Sequence, residues 1–373
     1  MDHGTDGKLA LLRLVAPAGS SAEVGDHEVF EAMLDGWRAQ ELSRNLSFGT
    51  INNGERIVRR FQEHAGSYPW HWTPAAFEAW SAELRRTRGR ALSTVRSYEL
   101  SVRSFLTYVC DPAYGWGPAC LARFGTHPTQ ICTEANLAAH TTDYEGRPAR
   151  RSLTRIECQA LFDAADDRVA RIGAEHRKGF LPAFRDATML KVAYGWGLRR
   201  RELVMLEVHD FGPNPQAPEF GDFGVCQVRF GKATKGSPPR RRGVLTVRDW
   251  SVEVIDEWVH DVWPQCAQEG QSGLWPSERG PRVSEDRINA AFAAAAASAG
   301  LPAGLSPHCL RHSYVTHLIE DGFDALFVQQ QVGHSHAATT AIYTSVSSDY
   351  RTATLRAALD RSIDSARDKS GDR

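Results

Sequence analysis

Four short segments of this 373-residue chain contain side chains whose types could do chemistry. Arginine stays charged and binds a phosphate through its planar fork, while tyrosine becomes a covalent nucleophile when it receives electrostatic help or a proton acceptor. The segments are Gly197-Leu-Arg-Arg-Arg-Glu-Leu203, Gly231-Lys-Ala-Thr-Lys235, His308-Cys-Leu-Arg-His312, and Val332-Gly-His-Ser335 followed by Ile342-Tyr-Thr344.

Each segment taken alone also fits an ordinary structural role, such as a solvated lysine, a surface ion pair or a packed tyrosine. His308, His312 and His317 resemble the spacing of zinc ligands. A zincin helix, however, has the pattern H-E-x-x-H, in which a glutamate polarises the water. Here Arg311 stands in that stretch, where a cation is unfavourable. We therefore expect no metal site.

In this order and spacing, the four segments resemble the tyrosine recombinase (phage integrase) family. From its glycine onward, the family's first box, T-G-L-R-x-S-E-L, is matched by Gly197–Leu203 except at its serine, which is Arg201 here. The G-K-x-x-K turn and the H-x-L-R-H box are matched in full, and the L-G-H-S box is matched with Val332 in place of leucine. The tyrosine of the I-Y-T box, Tyr343, lies nine residues after His334. The resemblance covers about residues 155–350 and only loosely extends to the N-terminal helices.

The resemblance implies a set of catalytic roles. Tyr343 would attack the scissile phosphorus of DNA, leaving a 3′-phosphotyrosyl bond and a free 5′-hydroxyl. Arg199 and Arg311 would stabilise the extra charge on the phosphate oxygens. Lys232 would protonate the leaving oxygen, and Lys235 is the alternative for this role. His308 and His334 would bind the phosphate or assist Tyr343. Glu202 and His312 would orient the arginines. This mechanism needs no cofactor.

The elements that position these residues are mainly helices. Apolar spacing predicts helices from about Glu28 to Ala65, from Pro74, from Ser93 and again from Arg155, where Thr154 and Glu157 form a capping box. Two strands, Val225–Phe230 and Gly243–Val247, are predicted, and the long stretch Gly212–Gly224 is interpreted as a decorative loop. Later helices are expected at 252–262, 284–299, 307–320, 325–332 and 348–363.

These patterns predict a mainly α fold with a small antiparallel sheet (α+β). We expect a disordered segment at residues 1–25, a helical core-binding domain at 26–132, a linker at 133–151 and a catalytic domain at 152–373. The trailing helix 348–363 carries an apolar stripe, for which we expect docking on a neighbouring subunit, although packing on its own domain is the alternative.

Because the chain is nearly neutral overall, a nucleic acid would have to bind at local basic surfaces. The chain carries 44 Lys+Arg against 45 Asp+Glu, so its formal net charge is −1. Basic residues are nevertheless segregated, and 231–248 contains six of them and no acid. The candidates for DNA contact are Arg56, Arg59, Arg60, Arg96, Arg103, Arg201, Lys235, Arg240, Arg241 and Arg242.

The composition also bears on location. Seven cysteines, without any C-x-x-C pair, argue against a disulfide framework and favour a reducing compartment. No run of about 18 apolar residues occurs, so we expect no membrane span. We expect a cytoplasmic, nucleoid-associated bacterial protein.

The function expected from the sequence is site-specific recombination. The partners would be double-stranded DNA with specific sites, three further copies of the chain in a tetramer on DNA, and accessory DNA-bending proteins. The reaction would serve integration or excision of a mobile element, or resolution of replicon multimers. Two alternatives stay open, a type IB topoisomerase and a non-catalytic DNA-binding regulator that kept the fold.

Overall fold

The computed structural model describes residues 25–86, 89–139, 151–231, 236–278 and 280–333. Among them, the residues up to 139 together with 236–238 form one compact unit, and 151–231 together with 239–333 form another. The predicted helix 348–363, the predicted N-terminal segment up to residue 24, and residues 140–150 of the predicted linker lie outside the described residues. The domain boundaries stay predictions.

The first unit is a bundle of helices around an aromatic core. Phe30, Phe61 and Phe105 are fully buried and contact Trp72, with ring planes tilted or edge to face. Such contacts between aromatic rings add to the stabilisation from burial alone. Its helices are α1 (Asp26–Ser43), α2 (Phe48–Ala65), α3 (Pro74–Arg86), α4 (Leu92–Cys110) and α5 (Trp116–Phe124), with single 3₁₀ turns at Pro69–His71 and Pro112–Tyr114.

Local capping explains where these helices begin. The Thr73 hydroxyl accepts a hydrogen bond from the backbone N–H of Ala76 at 3.2 Å, and Pro74 is the first helical residue, as predicted. The predicted start at Ser93 is wrong by one residue. Helix α4 begins at Leu92 and lacks a side-chain cap at Ala91, so its position depends on the apolar face that it buries.

The second unit contains the remaining helices. The predicted capping box at Thr154 is confirmed, since its hydroxyl accepts from the Glu157 N–H at 3.1 Å and the Glu157 carboxylate accepts from the Thr154 N–H at 2.8 Å. The helices are α6 (Arg155–Ala174), α7 (Phe180–Gly195), α8 (Arg200–Val204), α9 (Asp249–Glu257), α10 (Trp263–Cys266), α11 (Glu285–Ser298), α12 (His308–Glu320) and α13 (Ala325–Val332). A π-helical turn, Trp258–Val262, joins α9 to α10, and 3₁₀ turns occupy Val208–Asp210 and Pro218–Phe223.

A three-stranded antiparallel sheet completes this unit. Its strands β1 (Phe211–Gly212), β2 (Val225–Val228) and β3 (Arg242–Leu245) lie in the order β1-β2-β3. The mainly α fold with a small antiparallel sheet is thus confirmed. Strand β1 was not predicted, because a two-residue strand is too short to show alternation.

The stretch Gly212–Gly224 is not a decorative loop. Phe223 is buried in the core, and its carbonyl accepts a hydrogen bond from the Thr246 hydroxyl. The same hydroxyl accepts from the indole N–H of Trp196 at 3.1 Å. The loop therefore ties the end of β3 to the residues that follow α7.

Helix α12 lies at the centre of the second unit. Every residue from Cys309 to Leu318 is buried, including charged and polar side chains. A helix buried on all sides holds its side chains in fixed positions, since protein interiors are close-packed. In the described part of the chain, no helix is long and apolar enough to cross a membrane.

The capping box at α6 generates the first prediction. Replacing Thr154 by Ala removes the acceptor for the Glu157 N–H and should lower the free energy of unfolding by about 1 kcal/mol. Thr154→Ser keeps the acceptor and should stay within about 0.5 kcal/mol of the wild type. Urea unfolding of the three proteins measures both values, and equal stability of all three would show that the cap contributes nothing.

Candidate active site

The turn between α7 and α8 positions Arg199. Gly197 adopts a left-handed conformation with φ of +58°, and a Cβ there would lie 2.4 Å from Cδ1 of Tyr314. Both facts require glycine, because other residues rarely adopt this conformation and the buried Tyr314 ring cannot move away. The Leu198 N–H then bonds the Ala193 carbonyl at 3.0 Å, which closes the end of α7 and places Arg199 at the start of α8.

Glu202 lies one turn after Arg199 and binds it twice. Its carboxylate accepts from the Arg199 backbone N–H at 2.9 Å and from Arg199 Nη1 at 2.7 Å. The Glu202 residue is only 2% exposed, whereas the Arg199 side chain is 27% exposed. The Arg199 guanidinium therefore bonds the carboxylate on one side and is open to solvent on another.

Arg242, the first residue of β3, binds the same carboxylate through two parallel hydrogen bonds. Its Nη1 lies 2.9 Å from Oε1 of Glu202, and its Nη2 lies 2.8 Å from Oε2. Its Nε donates to the Gln331 carbonyl at 2.9 Å. The sequence predicted Arg242 as a DNA contact, but the structure places its guanidinium on these two partners.

Arg311 comes from the buried helix α12 and is 1% exposed. Its Nη1 donates to the Gly197 carbonyl at 2.6 Å, and its Nη2 donates to the Val332 carbonyl. Nη1 also lies 3.7 Å from Oε2 of Glu202, which is a charge contact rather than a hydrogen bond. Two backbone carbonyls thus fix this guanidinium beside the Glu202 carboxylate.

The electrostatic result is an excess of positive charge. Burial raises the pKa of Glu202, but the hydrogen bond and charge of Arg242, together with the charges of Arg311 and Arg199, outweigh burial and lower that pKa to about 2. Glu202 is therefore ionised at neutral pH. Three arginines around one carboxylate leave a net charge of two, which suits the binding of a phosphate.

His308 and His312 lie on α12 next to Arg311. The exposed His308 and the buried His312 contact each other edge to face, with ring centroids 4.6 Å apart. His317 lies further along the helix, where its Nδ1 is 2.7 Å from the Tyr194 hydroxyl and burial lowers its pKa to about 4. Among the residues that the structure describes, no group of three or more His, Cys, Asp or Glu side chains could hold a metal.

Four of the predicted catalytic residues, Lys232, Lys235, His334 and Tyr343, lie outside the described residues. Two described residues beside them make backbone hydrogen bonds with arginines. Gly231, just before Lys232, donates its N–H to the Arg240 carbonyl at 2.9 Å. The Val332 carbonyl, two residues before His334, accepts from Arg311. Their roles stay predictions.

The remaining candidates for DNA contact have varied surroundings. Arg59 is paired with Glu31, and Arg96 donates to the Ala139 carbonyl at 2.8 Å. Arg201, Arg240 and Arg241 are exposed. Arg56 donates to Asn53, Arg60 lies over the ring of Tyr98, and Arg103 is half-buried. DNA contact by any of them is still a prediction.

The sequence analysis missed that Arg242 joins Arg199 and Arg311 in an arginine cluster around Glu202, and that Gln331 supports it. Gln331 is buried, and its amide bonds both the N–H and the carbonyl of Leu245 at 2.9 Å, as a neighbouring strand would. One signal was present, since Arg242 directly precedes the predicted strand Gly243–Val247. The run Arg240-Arg241-Arg242 did not indicate which arginine points inward.

Comparison with known proteins decides the family. The family model described as "Phage integrase family" matches residues 152–349, which is more than half of the chain. The chain belongs to the phage integrase family. The resemblance of the four segments is thereby confirmed.

Relatives and solved structures agree with this assignment. The chain is 29% identical to "Tyrosine recombinase XerD" of Corynebacterium glutamicum over 314 residues, covering 83% of this chain and 91% of that protein. With other curated relatives, the match spans about half of the relative's length.

Two solved structures show the same fold. A XerH site-specific recombinase bound to a palindromic difH substrate has a TM-score of 0.59 at 17% identity, covering 91% of this chain and 90% of that one. A lambda integrase tetramer bound to a Holliday junction has a TM-score of 0.55 at 16% identity, covering 84% of this chain and 76% of that one.

The ionised Glu202 generates a pH prediction. In the unfolded chain this carboxyl titrates near 4.5 and in the folded chain near 2, so its stabilisation is complete above about pH 4.5 and is lost as the pH falls towards 2. Lowering the pKa this far corresponds to about 3 kcal/mol. The wild type should therefore exceed Glu202→Gln in stability at neutral pH, and the gap should shrink by about this amount in acid.

Urea unfolding of both proteins across the acid range measures this gap. Since every other titrating group is shared, the difference between the two curves isolates Glu202. A gap that stays constant with pH would show that Glu202 does not carry the charge assigned to it.

Proposed function

We propose that this protein is a site-specific recombinase that cleaves and rejoins DNA through a 3′-phosphotyrosyl intermediate. The observation that carries the proposal is the fixed pair Arg199 and Arg311, which a shared carboxylate and two backbone carbonyls hold in place. Prearranged cations stabilise charge that develops in a transition state without reorganising during the reaction. A phosphoryl transfer needs this kind of help, because negative charge builds up on the phosphate oxygens.

The cleavage step is a transesterification. The hydroxyl oxygen of Tyr343 attacks the scissile phosphorus and forms a new P–O bond, while the bond from phosphorus to the 5′-oxygen breaks. The tyrosine's proton passes to a base, for which His308 is the candidate, and the leaving 5′-oxygen takes a proton from Lys232 or Lys235. Rejoining is the reverse reaction by a 5′-hydroxyl, so the bond energy is conserved and no cofactor is required.

The other residues have supporting parts in this proposal. His334 binds a phosphate oxygen or positions Tyr343. Glu202 orients Arg199, as its two hydrogen bonds to that residue support. His312 packs against His308 and would hold that ring in place.

The substrate we propose is double-stranded DNA carrying specific recombination sites. The XerH and lambda integrase structures contain DNA, and the latter is a tetramer on a Holliday junction, which supports a tetramer on DNA here. Helix 348–363 would link neighbouring subunits, and DNA-bending proteins would assist. The reaction would integrate or excise a mobile element or resolve replicon multimers. A type IB topoisomerase would instead relax supercoils as a monomer.

The nucleophile is tested by Tyr343→Phe, which keeps the ring and removes the attacking oxygen. The variant should bind DNA normally and form no covalent adduct, because the proposed attacking oxygen is gone. The substrate is a nicked DNA duplex, on which the cleaved strand cannot be rejoined. Its sequence is first selected by repeated binding of the protein to a randomised pool of duplexes. Adduct formation is followed on denaturing gels.

Tyr350→Phe is the matched control, since Tyr350 is the nearest other tyrosine along the chain. It should still form the adduct at the wild-type rate. Adduct formation by Tyr343→Phe would remove the central residue from the mechanism.

Arg311 is tested by substitution with Lys, which keeps the charge but loses the planar fork. A single ammonium group cannot reproduce the paired donors that now reach the Gly197 and Val332 carbonyls while facing a phosphate. The single-turnover cleavage rate should fall by about 100-fold or more, the loss expected when one donor to a transition state is removed.

Arg200→Lys is the control for this change. Arg200 lies in the first box but is held by Asn289 and Glu285 on α11. Its variant should cleave at nearly the wild-type rate. If Arg311→Lys also does so, positive charge alone suffices and the fixed geometry is unimportant.

A further inference from the structure

Arg242 makes three hydrogen bonds to two partners that belong to different parts of the chain. Two of them go to the Glu202 carboxylate, and the third goes to the Gln331 carbonyl at the end of α13. Its side chain is 13% exposed. This arginine therefore connects β3, the start of α8 and the end of α13.

The Glu202 carboxylate has no remaining capacity for Arg311. Oε1 accepts from Arg199 Nη1 and Arg242 Nη1, and Oε2 accepts from the Arg199 backbone N–H and Arg242 Nη2. A carboxylate offers about four lone-pair sites, so these four hydrogen bonds fill it. Arg311 accordingly stays 3.7 Å away and donates to the Gly197 and Val332 carbonyls.

The contact at α13 fixes the chain just before His334. Gly333 has a φ of +62°, and a Cβ there would lie 2.9 Å from Cδ of Arg242. The Gln331 amide pairs with both backbone groups of Leu245 on β3, the strand that Arg242 begins. Arg242 thus packs against the last residue before His334 while it bonds the residue that joins α13 to the sheet.

We propose that Arg242 is a positioning residue of the active site. It holds Glu202 so that Arg199 and Arg311 keep their separate places around the scissile phosphate, and it holds the Gln331 carbonyl at the end of α13. The inference rests on the proposed function and adds a third arginine that supports the reaction without touching the DNA.

Two other roles for Arg242 make different predictions. A direct phosphate contact would strengthen DNA binding and steepen its salt dependence, because each neutralised phosphate adds about 0.9 to the slope of log K against log[salt]. A merely structural ion pair would change stability and leave the reaction rate unchanged. A positioning role lowers the cleavage rate while DNA affinity and its salt slope stay constant.

The test is a double-substitution cycle of Arg242→Gln, Glu202→Gln and the double variant. Single-turnover adduct formation is measured at saturating protein on the selected nicked duplex. Each single variant should lose about 100-fold, the size of effect that a small misplacement of catalytic groups produces. The double variant should be no slower than the slower single variant, because both act through the same contact.

Arg282→Gln is the matched structural control. Arg282 also joins a carboxylate and a backbone carbonyl, those of Glu207 and Met205, and its side chain is 21% exposed. It lies outside the arginine cluster. This variant should melt at a lower temperature and cleave at the wild-type rate. If Arg242→Gln does not fold, Arg242→Lys replaces it in the test, because this variant keeps the positive charge on a simpler head group. Arg242→Lys should cleave at a rate between those of the wild type and Arg242→Gln, with wild-type affinity for DNA.

The outcomes separate the inference from the proposed function. Wild-type cleavage by Arg242→Gln, or by Arg242→Lys where the Gln variant does not fold, would overturn the inference alone. Weaker DNA binding with a shallower salt slope would also overturn it, in favour of a phosphate contact. If the rate losses of Arg242→Gln and Glu202→Gln simply multiply in the double variant, the route through Glu202 is wrong. A wild-type protein that forms no adduct on any selected duplex would overturn the proposed function itself.

Discussion

The carboxylate of Glu202 is the point on which three arginines depend, and each of them comes from a different part of the chain. Arg199 begins α8, Arg242 begins β3 and Arg311 lies on the buried helix α12. Without a central anion, three guanidiniums this close would repel one another. With it, each has a fixed direction, and a net positive charge remains for a phosphate.

Burying these charged groups removes their hydration, which costs free energy, and close packing of the surrounding elements accompanies this burial. A buried ion pair stabilises only when its geometry and hydrogen bonds offset the loss of hydration. Here the carboxylate is filled by four donors, and Arg311 is supported by two backbone carbonyls as well. Removing one partner from such a site typically costs about 3–5 kcal/mol, because the remaining charge is left buried. The cluster thus holds the three guanidiniums in a fixed geometry, and losing any one partner would lower the stability of the fold.

The sequence predicted the fold class, most helices and two of the three arginines, because those features have local signals. The capping box at Thr154 and the spacing of Arg199 and Glu202 are examples, since both lie within one helical turn. Features that depend on distant contacts were missed. Arg242 reaches Glu202 across forty positions of sequence, and β1 forms only because β2 lies beside it.

The most direct test of this account is to map the protein–DNA adduct itself. The wild-type protein is trapped on the nicked duplex and digested, and the modified residue and the joined end of the DNA are located by mass spectrometry. The account predicts a single modified residue, Tyr343, linked through a phosphate to the 3′ end of the cleaved strand. A link at another residue, or to a 5′ end, would contradict it.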